Sequence, residues 1–166
     1  MSEQATRAQR FDFSTHSKKQ FEHLFGLSRA VKQASELERS LLHLVDIRAS
    51  LINGCAFCLD MHVKEARANG ERELRIYHVP IWRESSLFTE KERAAFRWTE
   101  IVTKVSEVGV SEEDYAEARE QFTEKELSDL TFAVATINTW NRLAIASGSV
   151  PGSQDKAYGM DKAGLN

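Results

Sequence analysis

Four times in this chain a hydroxyl side chain stands three residues before a carboxylate: "SELE" (Ser35 to Glu38), "TEKE" (Thr89 to Glu92), "SEED" (Ser111 to Asp114) and "TEKE" again (Thr123 to Glu126). In this arrangement the hydroxyl accepts from a free backbone N–H in the first turn of a helix, while the carboxylate reaches back to the capping residue. The matching stop signals are glycines: Gly54, Gly70, Gly109 and Gly148 fall where helical patterns lapse, and Gly26 lies inside a segment expected to be helical. Proline, which would interrupt helices, occurs only at Pro80 and Pro151.

Apolar residues between these signals recur at helical spacing. After Ser35 come Leu37, Leu41, Leu44, Val45 and Ile52; after Thr123 come Leu127, Leu130, Val134, Ile137 and Ala144. No segment alternates in the manner of a half-buried strand. The spacing predicts an all-α fold with helices near 16–34, 36–52, 56–68, 71–79, 90–107, 112–121 and 124–147. A chain of 166 residues is long enough for one domain with its own core, here 1–148. The stretch "SVPGSQDKAYGMDKAGLN", 149–166, has three glycines, one proline and no apolar period, and reads as a flexible tail or oligomer arm.

Charge narrows the function classes. Twenty-two basic and 25 acidic residues are spread along the chain for a net −3, with no basic patch to track a phosphate backbone, so nucleic acid is not an expected partner. Apolar runs such as "FAVA" are too short to span a bilayer, so no membrane partner is expected. The polar start "MSEQATRAQRFDF" lacks the apolar core of a secretory signal, which makes the cytoplasm the expected compartment.

The only two cysteines, Cys55 and Cys58, lie in "INGCAFCLDMH" with His62 four residues further on. Gly54 and the apolar pattern after it place both cysteines in the first turn of the third helix. At ~100° per residue, Cys55, Cys58 and His62 share one face, while Asp60 and Lys64 project the other way and read as solvent-facing. The i, i+3 spacing brings the pair within disulfide reach, the helix N-terminus favours thiolate, and His62 lies one turn from Cys58. Three readings are open at this point: a redox dithiol, two buried cysteines, or a zinc site of Cys55, Cys58, His62 and His43. The zinc reading lacks the second cysteine knuckle that common spacings use, and the expectation is no metal and no cofactor.

The stretch "DIRASLINGCAFCLDMHVKEARANGERE", followed by "WRESSLFTEKERAAFRWTE" and "INTWNRLAIASG", resembles the alkylhydroperoxidase D-like branch of the carboxymuconolactone decarboxylase superfamily, from about Glu36 to Gly148. The resemblance implies an all-α fold assembling as trimers or hexamers, and a thiol peroxidase cycling between dithiol and disulfide. It implies a hydroperoxide substrate and a dithiol or thioredoxin-like reductant. The family's cysteine pair falls on Cys55 and Cys58, and its motif histidine on His62. The glutamate that the family places twelve residues before the first cysteine, at the far end of a proton relay, is His43 here. Asp46, one turn closer to the cysteines, and Glu65, one turn beyond His62, are the candidate carboxylates to substitute in that part. A merely solvated face would also produce the stripe Arg39, His43, Asp46 and Ser50.

In the peroxidase reading Cys58 attacks the peroxide, His62 is its base and Cys55 resolves the intermediate. Trp140, Asn141 and Arg142 are read as core or interface residues in preference to pocket-lining ones. Trp82 and Phe88 are read as packing. The rival functions are decarboxylation of a muconolactone-type lactone, by analogy, and a non-enzymatic metal-binding or redox-sensing protein.

Overall fold

The computed structural model describes residues 8–163; residues 1–7 and 164–166, which include the end of the expected tail, lie outside the described part. Among the described residues there is no strand. The α-helices run α1 Phe13–His16, α2 Lys18–Ala34, α3 Arg39–Asn53, α4 Ala56–Ala68, α5 Glu73–His78, α6 Glu90–Thr103, α7 Val105–Val108, α8 Glu112–Gln121, α9 Glu124–Ser147 and α10 Asp155–Tyr158, with single 3-10 turns at Val79–Ile81 and Met160–Ala163. No helix among them is long and apolar enough to cross a membrane.

Three of the four expected caps are made. Thr89, Ser111 and Thr123 each accept from the N–H of the carboxylate residue three positions on, and Glu92, Asp114 and Glu126 each accept from the backbone N–H of the cap. The fourth is not. Ser35 closes α2, its hydroxyl accepts from the N–H of Leu37, and Asp129 of α9 takes the N–H of Glu36, so α3 starts only at Arg39. Here the hydroxyl and a distant carboxylate stabilise a turn between helices, which delays the helix by three residues.

Helix α3 is the centre of the bundle and packs against α4, α6 and α9. Leu41, Leu42, Leu44, Val45 and Ile47 are buried on it, and so are the polar residues His43, Asp46 and Ser50. The apolar side chains divide between two cores. Leu41, Leu42 and Val45 meet Trp98, Leu130 and Val134 of α6 and α9. Leu44 and Ile47 meet Val79, Trp82, Phe88 and Phe96, and the Phe96 ring lies 5.0 Å from Phe88 and 5.6 Å from Trp82. Trp82 and Phe88 are thus packing residues. At about 2 kcal/mol for each fully buried large side chain, these contacts are the main source of stability.

The α3–α6 contact also carries a partly buried ion-pair cluster, with Arg83 at its exposed edge. Glu100 accepts from Arg48 at 2.7 Å, from the Trp82 indole N–H at 2.7 Å and from Arg83 at 2.6 Å. Burial works to raise the Glu100 pKa, but the bonds from Arg83 and Trp82 and the charges of Arg48 and Arg83 outweigh it and hold the carboxyl below its ordinary value. A depressed carboxyl contributes stability that is present above the unfolded value of about 4.3 and is lost as pH falls through the folded one. Glu100→Ala is therefore expected to cost about 1–2 kcal/mol at pH 7, because it leaves the partly buried Arg48 guanidinium without its partner. Urea unfolding at pH 7 and at about pH 3 is the check; the difference from wild type should shrink at the lower pH.

Candidate functional site

The site begins where α3 ends. Gly54 takes the left-handed conformation (φ 66°), which only glycine adopts freely, and the N–H of Cys55 closes back on the Ser50 carbonyl at 3.0 Å. This junction is held by a buried amide network. Asn53 donates to Asn138 (3.0 Å) and Asn141 (2.8 Å) of α9, Asn141 donates to the Ser50 hydroxyl (3.1 Å), and Asn138 donates to Thr103 (2.9 Å). Arg142 bonds within α9, to the Asn138 side chain and carbonyl. Asn141 and Arg142 are thus tied into this network, and neither lines the cavities beside the two cysteines.

Cys55 is the N-cap of α4, and its sulfur accepts from the N–H of Cys58 at 3.3 Å. The two cysteines are joined as a disulfide, with Cα atoms 5.4 Å apart. Both are almost wholly buried, yet they face different spaces. Cys58 and His62 line a cavity of about 360 Å³ whose walls include Phe21, Phe25, Phe57, Met61 and Trp140. Cys55 lines a second cavity of about 260 Å³, with Gly54, Gly148 and Pro151, on the other side of Phe57. Trp140 is therefore a wall of the first cavity rather than only a core aromatic. Its indole N–H donates to Ser28 at 2.7 Å and its ring meets Phe13 and Phe21 from the amino-terminal helices.

Beside the Cys58 cavity five ionisable side chains converge. His62 Nδ1 is 3.2 Å from Glu65 Oε2 and 3.5 Å from Asp46 Oδ2. His43 Nδ1 is 3.9 Å from the same Glu65 oxygen, and Lys32 of α2 bonds the other Glu65 oxygen at 2.6 Å. Burial pushes Glu65 upward, but the His62 hydrogen bond and the Lys32 and His62 charges overcome it and hold the carboxyl well below the carboxylate range. Burial raises Asp46 and lowers His43. An ionised Glu65 can only accept, so His62 carries its proton on Nδ1 and leaves Nε2 as an acceptor. The structure thus brings His62, Asp46, Glu65 and His43 together. The solvated-face reading of the α3 stripe fails: Arg39 is exposed, but His43, Asp46 and Ser50 are buried against polar groups of α4 and α9.

A second expectation also fails. Lys64 is only 5% exposed, and its ammonium bonds Asp60 at 2.9 Å and Asp155 at 2.7 Å, while Asp60 accepts from the N–H of Gly152. Residues 150–158 fold back over this face of α4, which supplies partners that local spacing cannot reveal. Ser153, Gln154 and Tyr158 go on to line the Cys58 cavity. Lys64→Met is expected to release this segment, accelerating amide exchange over 152–158 about tenfold, measurable by hydrogen exchange. Unchanged exchange would mean that other contacts hold it.

A fold of packed helices with a CxxC pair at the start of one of them, against a polar cluster, defines a class of all-helical dithiol proteins. The chain belongs to the carboxymuconolactone decarboxylase family, in its alkylhydroperoxidase D-like branch: the sequence profile "CMD: Carboxymuconolactone decarboxylase family" matches residues 19–100. It is 38% identical over 126 residues to the uncharacterized protein YdfG of Bacillus subtilis (strain 168), covering 76% of this chain and 85% of that one. It is similar, at 41% identity and a TM-score of 0.83, to a protein of unknown function from Agrobacterium tumefaciens (ATU0492) proposed as an antioxidant defence protein AhpD, covering 87% of this chain and 98% of that one. A peroxidase-related protein from Ralstonia eutropha JMP134 with an alkylhydroperoxidase AhpD core shares the fold, with a TM-score of 0.76 at 22% identity over 85% and 75% of the two chains.

Proposed function

We propose that this protein is a thiol-dependent peroxidase that reduces organic hydroperoxides through a Cys55–Cys58 dithiol/disulfide cycle. The observation that carries this reading is that Cys58 and His62 open on one apolar cavity while Cys55, already bonded to Cys58, faces another.

His62 Nε2 takes the Cys58 thiol proton, and the thiolate attacks the terminal oxygen of the hydroperoxide. The S–O bond forms as the O–O bond breaks, and the departing alkoxide leaves as the alcohol with the proton held by His62. Cys58 is then a sulfenic acid. Cys55 attacks that sulfur, the S–S bond forms, and hydroxide leaves with the Cys55 proton as water. Two thiols have supplied the two electrons. An external dithiol or thioredoxin-like protein resets the pair by exchange at Cys55, through the second cavity. Glu65, with Asp46 behind it, orients His62 and stabilises its imidazolium; in this sense a carboxylate of α4 takes the part that the family gives to the position occupied by His43.

The test is turnover with cumene hydroperoxide and excess dithiol reductant. One cumyl alcohol formed per disulfide generated, over many cycles per chain, is expected. Thiol oxidation without alcohol would sink the reading.

A further inference from the structure

We propose that His43, Asp46, Glu65 and His62 form a site for a divalent transition-metal ion of borderline softness, Zn²⁺ being the representative, bridging α3 and α4 beside Cys58. Each helix presents an imidazole and a carboxylate at i, i+3: His43 with Asp46 on α3, His62 with Glu65 on α4. Facing helices build metal sites in bundle cores from such pairs.

The separations fit an ion. Donor atoms of His43, Asp46 and Glu65 lie within 4.8 Å of one another. His62 Nδ1 to Glu65 Oε2 is 3.2 Å, His62 Nδ1 to Asp46 Oδ2 is 3.5 Å, and His43 Nδ1 to Glu65 Oε2 is 3.9 Å. Ligands ~2.0–2.1 Å from a tetrahedral zinc stand roughly 3.3 Å apart, so His43, Asp46 and Glu65 are close to a coordination shell, and His62, already beside Asp46 and Glu65, is the fourth donor to be drawn in. Two imidazole nitrogens with two carboxylate oxygens suit zinc and its neighbours rather than the all-oxygen shells of calcium or magnesium.

His43 supplies an independent pointer. It is 1% exposed and aimed into the cluster, yet neither ring nitrogen has a hydrogen-bond partner. An imidazole buried with both nitrogens unpaired is costly unless something ligates it. The one cation now at the cluster, Lys32, bonds Glu65 Oε1 and leaves Oε2, the oxygen facing the imidazoles, to a metal. Lys32 is the competing charge, and its stem is partly exposed and free to withdraw.

The site shares His62 and Glu65 with the peroxidase reading; metal binding does not depend on that reading, but one consequence rests on it. A metal on His62 Nδ1 moves the ring proton to Nε2, so the imidazole no longer accepts the Cys58 proton and the thiol cycle stops.

The experiment is Zn²⁺ titration, against a chromophoric chelator, of the protein held in its disulfide form, where neither sulfur is free to ligate. One Zn²⁺ per chain is expected, weakened at least ~100-fold in His43→Gln and in Asp46→Asn. Lys32→Gln, a partly exposed change that spares the core, should tighten binding several-fold by removing the competing charge. Co²⁺ in the same protein should show visible d–d bands of a nitrogen–oxygen site. No stoichiometric zinc in the disulfide form, or an affinity in Lys32→Gln no tighter than wild type, would overturn the proposal. Thiol oxidation by hydroperoxide in metal-free protein is scored separately, so failure of the peroxidase reading and failure of the metal site are told apart.

Discussion

Cys58→Ser is expected to bring hydroperoxide reduction down by at least ~10³-fold, to background, because it removes the cysteine that shares a cavity with His62. Cys55→Ser should behave differently. Its Cys58 still reacts once, the sulfenic acid has no neighbour to condense with, and a dimedone adduct accumulates at Cys58. Cys55 caps α4 and Cys58 lies in its first turn, both at the helix N-terminus, so position on the helix does not assign the roles. The proposed assignment rests on the cavities: Cys58 lines the one walled by Phe21, Phe57 and Trp140, and Cys55 the one with Gly148 and Pro151. Peptide mass spectrometry after one equivalent of hydroperoxide reads this directly. An adduct that forms only at Cys55, in Cys58→Ser, would reverse the order.

The second large effect is expected at His62. On the proposed mechanism His62→Ala removes the group that takes the thiol proton and returns it to the alkoxide, a contribution of about 10²–10⁴-fold in rate. Stopped-flow measurement of single-turnover thiol loss is the check, with imidazole added to the buffer as the discriminating arm. The space left beside Cys58 opens on the cavity, so free imidazole should restore part of the rate. A variant impaired only in packing would gain nothing from it. With ionised Glu65 accepting from Nδ1, the nitrogen that the proposed mechanism assigns to Cys58 is Nε2.

Much of this architecture was legible in the chain because it is locally encoded. Thr89, Ser111 and Thr123 each hold their cap and carboxylate within one turn, and the helices they start begin where the spacing places them. Gly54 ends α3 and sets the cysteines at the head of α4 for a backbone reason that no other residue meets as easily. The failures share a cause: their partners come from far along the chain. Ser35 looks like a cap until Asp129 takes the N–H of Glu36. Lys64 looks solvent-facing until Asp155, 91 residues away, covers it.

The candidate site divides in the same way. Cys55, Cys58 and His62 belong to one short motif and were visible as a unit. That Glu65 and Asp46 both meet His62 depends on how α3 and α4 face each other, and the polar stripe His43, Asp46, Ser50 reads as a wet surface when taken alone. It is buried because α3 is surrounded, so its polar side chains meet each other and the amides of α9 instead of water. Trp140 was hidden for a related reason: an aromatic on a long amphipathic helix is indistinguishable from core until α1 and α2 close the cavity in front of it.

The measurement that bears most directly on the central claim is a time-resolved count of free thiols in the reduced, metal-free protein after one equivalent of cumene hydroperoxide. The expected result is loss of both thiols in one rapid phase, one peroxide consumed per chain, restored in full by a dithiol reductant. Two thiols that survive hours of exposure, in a protein whose His62 and cavity are intact, would contradict the account.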